Sequence, residues 1–144
     1  MYESCQRKQQ EIKKLFESCQ NKEEIYQKII EIGRSSPPLR EEFKIQSNEV
    51  PGCQSLMYMH TSRQGDKLFF EAESEALISS GLAALLTTVY SGEEPETILK
   101  CPPDYLEEIG ISSSLSPNRA NGLYSIHLKM KQIALEAFMN KTQQ

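Results

Sequence analysis

Four cysteines, two histidines and one oddly placed arginine carry most of the chemical potential of this 144-residue chain. Cys53 lies in the run Val50-Pro51-Gly52-Cys53-Gln54-Ser55. Pro51-Gly52 specifies a turn, so the thiol is expected at a loop tip leading into a strand. Gly52 beside it permits unusual backbone angles and close approach by another molecule. A reactive cysteine needs thiolate character and access, whereas the common fate of a free cysteine is to act as a small buried hydrophobe. The residues alone leave both readings open for Cys53. Cys19 falls in register with Ile12, Leu15 and Phe16 at helical spacing, which reads as packing. Cys5 lies near a terminus expected to fray. Cys101 precedes Pro102-Pro103 at a helix junction. Cys5 and Cys101 both read as incidental, although Cys101 is a candidate resolving partner for Cys53.

A cysteine hydrolase or thiol peroxidase built on Cys53 would need a base, and the candidates are His60 and His127. His60 is expected on a strand. His127 neighbours the apolar stripe of the last helix and reads as a semi-buried packing residue. Arg119 sits three residues after Ser116, an N-cap candidate, in a first turn where carboxylates are normally preferred. A cation against that rule points to a function or a specific partner, and the plain alternative is an exposed side chain. The cysteines form no CxxC pair and no clustered zinc spacing. The chain has no glycine-rich phosphate loop and no HExxH.

The elements that must position these residues read as an α+β arrangement, a small antiparallel sheet flanked by helices. Ile12, Leu15, Phe16 and Cys19 give one helix face. Asn21 caps a second helix, with Glu24 at the capping-box position, an apolar stripe of Ile25, Ile29 and Ile30, and Gly33 as its stop. Pro38 opens a short turn through Leu39 and Phe43. Period-two runs over 54–62 and 67–73, joined by Arg63-Gln64-Gly65-Asp66, predict a hairpin. A third strand is a candidate near 43–50. An uncharged helix from about Glu75 to Tyr90, capped by Ser74, buries Ile78, Leu82, Leu85, Leu86 and Val89. Two short proline-opened helices follow. Ser116-Pro117 then starts a long amphipathic helix with Leu123, Ile126, Met130, Ile133, Ala134 and Ala137 inward.

Composition narrows the function classes. The chain carries 16 basic and 20 acidic residues, a net charge of −4. That argues against a nucleic-acid footprint and against a polybasic route to a membrane surface. The uncharged stretch from Ala76 to Gly92 falls short of the ~20 apolar residues of a spanning helix. Met1-Tyr2-Glu3-Ser4 runs into Lys/Glu/Gln-rich sequence without the apolar run of a signal peptide. The expectation is one cytoplasmic domain over residues 1–144 with four reduced thiols.

Three blocks then coincide with a known pattern: Val50-Pro51-Gly52-Cys53-Gln54-Ser55, then Gly81-Leu82-Ala83-Ala84-Leu85-Leu86 with Tyr90-Ser91-Gly92, then Leu115-Ser116-Pro117-Asn118-Arg119-Ala120-Asn121-Gly122-Leu123. In this order and spacing they resemble SufE, the sulfur-acceptor family of iron–sulfur cluster biogenesis. The resemblance implies a fold like that of the scaffold IscU, without the scaffold's metal-binding cysteines. It implies a carrier, not an enzyme, that accepts persulfide sulfur from a pyridoxal-phosphate cysteine desulfurase of SufS or CsdA type, stimulates it, and hands the sulfur to a downstream iron–sulfur scaffold. The family's sulfur-carrying cysteine maps onto Cys53 and its motif arginine onto Arg119, with Gly52, Gln54 and Ser55 as loop support or partner contacts. No cofactor or metal is expected on this chain, since the pyridoxal phosphate belongs to the partner, and a monomer or homodimer fits equally. Four positions depart from the family pattern: Glu73-Ser74-Glu75 stands for Asp-Ser-Asp, Tyr58 for a tryptophan, and Ser80 for a basic residue. A cysteine-dependent hydrolase or peroxidase and a passive interaction domain are the competing readings.

Overall fold

Alternation in the centre of the chain produces the sheet. In the computed structural model, which describes residues 1–143, β1 (Met57–Gln64) and β2 (Lys67–Ser74) pair antiparallel with Met57 opposite Ser74 and Gln64 opposite Lys67. Met57 and Met59 on β1, with Leu68 and Phe70 on β2, turn into the core. The strands continue to a two-residue turn at Gly65-Asp66, shorter than the four-residue loop expected. Gly65 adopts φ +61° there, the left-handed geometry that tight hairpins need.

Among the described residues the helices are α1 (Glu3–Leu15), α2 (Lys22–Ser35), α3 (Leu77–Tyr90), α4 (Pro95–Lys100), α5 (Asp104–Ile109) and α6 (Pro117–Gln143). The core centres on α3, where Leu82, Leu85, Leu86, Val89 and Tyr90 are essentially sealed from solvent. Each such side chain contributes about 1.5–3 kcal/mol of burial free energy. Two tyrosine hydroxyls inside this core are satisfied by backbone carbonyls. Tyr90 Oη donates to Cys101 O at 2.6 Å and Tyr105 Oη to Leu85 O at 2.6 Å.

Several expectations need correction. Gly33 does not stop α2, which runs to Ser35. A Cβ on Gly33 would lie 2.1 Å from the Leu77 carbonyl oxygen, and one on Gly81 would lie 2.0 Å from that of Ile29. The two glycines therefore let α2 and α3 cross at near backbone contact. Ser74 is not the cap of α3. It ends β2 and donates through Oγ to Leu56 O at 2.8 Å, and α3 starts at Leu77 after Ala76 with no side-chain cap. The region 43–50 forms no strand. It holds 3-10 turns at Glu41–Phe43 and Gln46–Asn48, then a single bridge from Glu49 to Tyr58. Leu15 is exposed, because α1 ends there and Phe16 turns inward instead. Cys19 lies past that end, half-buried against the core. Cys5 and Cys101, read as incidental, are both fully buried.

Candidate functional site

The loop carrying Cys53 is a closed lariat. Val50 N donates to Met57 O at 3.0 Å, and Glu49 bridges Tyr58 across the neck. Below the neck, Glu75 N donates to Leu56 O at 3.3 Å, while the Glu75 carboxylate accepts from Leu56 N at 3.4 Å. Lys129 of α6 donates to Glu49 O at 3.1 Å. The neck is thus fixed to β1, to the β2–α3 junction and to α6, and residues 51–55 form the loop beyond it.

That part lies on the first turns of α6. Gly52 has φ +88°, and a Cβ on it would sit 2.4 Å from Ser125 Oγ and 3.2 Å from Ser125 Cβ. Both facts require glycine there. Next to it, Cys53 is half-buried. Its Sγ approaches the Gly122 carbonyl oxygen at 3.8 Å, and a Cβ on Gly122 would make only ordinary contact, 3.8 Å from Cys53 Cα and 4.0 Å from its Sγ. Gln54 is exposed and Ser55 half-buried.

Arg119 ties the loop to the core. Its Nη1 donates to Ser55 Oγ at 3.0 Å and to Ser79 Oγ of α3 at 2.7 Å. The first turn of α6 that carries it is capped as expected, with Arg119 N donating to Ser116 Oγ at 3.3 Å. Arg119 is therefore no free surface cation. Its charge favours the Cys53 thiolate, but burial of the thiol works against it and is the larger effect, so the thiol stands above its ordinary pKa. The net effect is opposite in sign to what an activating arginine alone would give.

Neither histidine joins this site. His60 on β1 stacks on Phe43, ring centroids 3.5 Å apart, beside a surface cavity of about 780 Å³ that Lys129 also lines. His127 packs against Tyr90. Burial lowers its pKa to about 4, so it is a neutral ring, and its Nε2 is buried without a hydrogen-bond partner. Among the described residues the Cys53 thiol approaches a carbonyl and feels the Arg119 charge, and neither histidine perturbs it. A general base for hydrolase chemistry is missing from its contacts. No group of three or more metal-ligating side chains occurs among the described residues, and no helix of theirs is long and apolar enough to cross a membrane.

Three residues that build the site were not singled out as such from the sequence. Ser79 looked like a tolerated hydroxyl in an apolar helix, though a serine on a helix apolar on nearly every side is itself a signal, because a buried hydroxyl needs a partner. Gly122 and Ser125, on the helix floor beneath Cys53 and Gly52, carried no such signal. Two of the departures from the family pattern have local roles. Ser80 Oγ accepts from Ser74 N at 2.9 Å and donates to Ser74 O at 3.1 Å, closing the β2–α3 corner. Glu73 accepts from Leu39 N at 2.8 Å and pairs with Lys44 at 2.9 Å.

Fold and site together define a small α+β protein that holds one loop thiol against a helix N-terminus under an arginine. The family model described as "SufE: Fe-S metabolism associated domain" matches residues 10–134, and the chain belongs to the SufE family. It is 39% identical over 106 residues to an uncharacterised SufE-like protein of Synechocystis sp., covering 74% of this chain and 66% of that one. It is 36% identical over 129 residues to the SufE-like protein 1, chloroplastic/mitochondrial, of Arabidopsis thaliana, covering 89% of this chain and 35% of that one. It is 31% identical over 99 residues to the sulfur acceptor protein CsdE of Escherichia coli, covering 67% of each. The chain thus spans just under two thirds of the cyanobacterial relative and about a third of the plant one. The fold matches the solution structure of a hypothetical protein from Thermus thermophilus with a TM-score of 0.72 at 24% identity, over 92% of this chain and 96% of that one.

Proposed function

We propose that this chain is a sulfur acceptor that takes persulfide sulfur from a pyridoxal-phosphate cysteine desulfurase of SufS or CsdA type onto Cys53. In the step proposed, the Cys53 thiolate attacks the outer sulfur of the donor's cysteine persulfide. A new S–S bond forms on Cys53, the donor's S–S bond breaks, and the donor cysteine leaves as its thiolate. Electrons balance without oxidant, metal or resident cofactor on this chain. The transfer is stoichiometric, so the chain acts as carrier and activator of the desulfurase, in a compartment that keeps thiols reduced, such as the cytoplasm. A downstream iron–sulfur scaffold then receives the sulfur.

The observation that carries this reading is the mounting of Cys53: a thiol on a short loop with a fixed neck, lodged against Gly122 and Ser125, with Arg119 bridging loop and core. Such a loop shelters a reactive sulfur in place and presents it when it swings out. In the sheltered form burial holds the thiol protonated, and on leaving α6 it regains its ordinary acidity, so nucleophilicity is coupled to presentation. The names of relatives support the reading: one is called a sulfur acceptor protein and another, from Plasmodium vivax, a cysteine desulfuration protein. The test is incubation with a desulfurase and sulfur-labelled cysteine in the absence of reductant. Label should reach the wild-type chain and not Cys53→Ser. Equal labelling of both, or none on either with an active desulfurase, rejects the proposal.

A further inference from the structure

Cys5 and Cys101 take no part in the Cys53 loop, yet the two lie around the same buried amide. Cys5 stands on the first turn of α1, and Cys101 is the residue that ends α4. Both are sealed, 0% and 3% exposed, and both sulfurs lie against one buried amide, that of Gln9. Gln9, one turn along α1, is itself buried. Its Nε2 lies 3.6 Å from Cys5 Sγ and 3.4 Å from Cys101 Sγ, and it donates to Pro102 O at 3.0 Å. Sulfur is a weak acceptor. Two aliphatic side chains would fill this place without committing a buried amide to it.

In the closed structure the backbones on either side are held. The Cys101 carbonyl accepts the Tyr90 hydroxyl at 2.6 Å. The first turns of α1 are clasped by Lys8, which pairs with Glu93 at 2.5 Å and donates to Ser91 O at 2.7 Å, and by Ser4, which donates to Glu93 at 2.9 Å. Two buried thiols that flank one amide, each beside a backbone held in the closed structure, are candidates for a cross-link, which needs their Cα atoms within about 7 Å.

We propose that Cys5 and Cys101 form an oxidisable dithiol that a peroxide closes into an intramolecular disulfide, stapling α1 to the α4–α5 junction. One thiolate attacks a peroxide oxygen. The O–O bond breaks, a sulfenic acid forms and the first water leaves. The second sulfur attacks the sulfenic sulfur, the S–O bond breaks, the S–S bond forms and the second water leaves. Each sulfur gives up one electron and the peroxide takes both. A dithiol reductant reverses the step.

Access sets the rate. Burial, with the neighbouring Cys101, pushes the Cys5 thiol up to about 12, so the closed form holds almost no thiolate near neutral pH. Oxidation therefore runs through opening of the first turn of α1. That turn begins at Tyr2, held at φ 65° with no side-chain cap, the kind of terminus that opens below the cost of global unfolding. The pair is slow toward peroxide while the structure is closed and reactive in the frayed form, where closure locks the turn back down.

The test uses the full Cys53→Ser chain, reduced, treated with graded hydrogen peroxide, blocked with an alkylating agent and mapped without reduction. The expected product is one cross-linked peptide pair containing Cys5 and Cys101, lighter by two hydrogens and reversed by dithiothreitol. The thermal midpoint of the oxidised form should rise by roughly 5–15 °C over the reduced form of the same protein. Thiols at Cys5 and Cys101 that stay fully alkylatable on unfolding, separate sulfinic acids on each, a link to Cys19 instead, or a cross-link that leaves the midpoint unchanged would each overturn the proposal.

Discussion

Replacing Gly52 by alanine tests how the loop controls the thiol beside it. At φ +88° an L-residue gives up about 1–2 kcal/mol relative to a right-handed or extended backbone. The new methyl would also stand 2.4 Å from Ser125 Oγ and 3.2 Å from its Cβ. The hydroxyl can rotate away, but the Cβ of a helical residue cannot, so a further cost of about 1 kcal/mol remains or the loop moves. The neck is held by Val50–Met57 and Glu49–Tyr58, so the movement should be confined to 51–55, lifting Cys53 off Gly122. The thiol, now held above its ordinary pKa by burial, then falls back toward it. The gain in thiolate outweighs the accompanying loss of intrinsic nucleophilicity, so the rate rises even before any gain in access. The assay is the alkylation rate of Cys53 read by peptide mass, with urea unfolding on the same samples. Gly52→Ala should alkylate faster and lose about 2–3 kcal/mol of stability, less if the loop lifts freely. Adding Ser125→Ala should restore no more than about 1 kcal/mol, because it removes the Oγ overlap and leaves φ and Cβ. An unchanged or slower alkylation rate would refute the idea that contact with α6 shelters the sulfur.

Other consequences follow from the same contacts. Arg119→Ala removes both the bonds to Ser55 and Ser79 and the charge favouring the thiolate, so a thiol titration should place Cys53 higher still, while Arg119→Lys recovers part of the charge effect and less of the bridging. Gly81→Ala would put a methyl 2.0 Å from the Ile29 carbonyl oxygen, and urea unfolding should show a loss of at least 3 kcal/mol or so, because two backbones must separate. His127, lowered to about 4 by burial, binds its proton in the unfolded chain before the folded one. Its contribution to stability is therefore present above about pH 6.5 and lost progressively toward pH 4, by about 3 kcal/mol, and His127→Phe should flatten that part of the stability–pH curve.

The sequence exposed the chemistry-bearing loop because Pro51-Gly52 is local punctuation, and it exposed the hairpin and α6 because their apolar periods are long and regular. Ser116 at the cap of α6 was legible for the same reason. The details that needed tertiary partners were not. Gly33 looked like a helix stop since nothing in the local run announces a second backbone pressing on it. Ser74 looked like a helix cap until β2 claimed its backbone and Ser80 closed the corner from the other side. Cys5 looked incidental because Cys101, across the shared Gln9 amide, lies far along the chain. Arg119 showed its oddity in the sequence, as a cation at a helix N-terminus, but its bonds to Ser55 and Ser79 come from three separate segments meeting. The direction of the Cys53 shift was hidden for a related reason, since burial by Gly122 and Ser125 outweighs the charge that the motif displays.

The most direct measurement of the central claim is the site-mapped mass of the chain after incubation with a cysteine desulfurase and L-cysteine without reductant. The account predicts a gain of one sulfur atom on the peptide containing Cys53, removed by dithiothreitol, with Cys5, Cys19 and Cys101 unmodified and no gain in Cys53→Ser. Sulfur appearing on another cysteine while Cys53 stays a free thiol would contradict it.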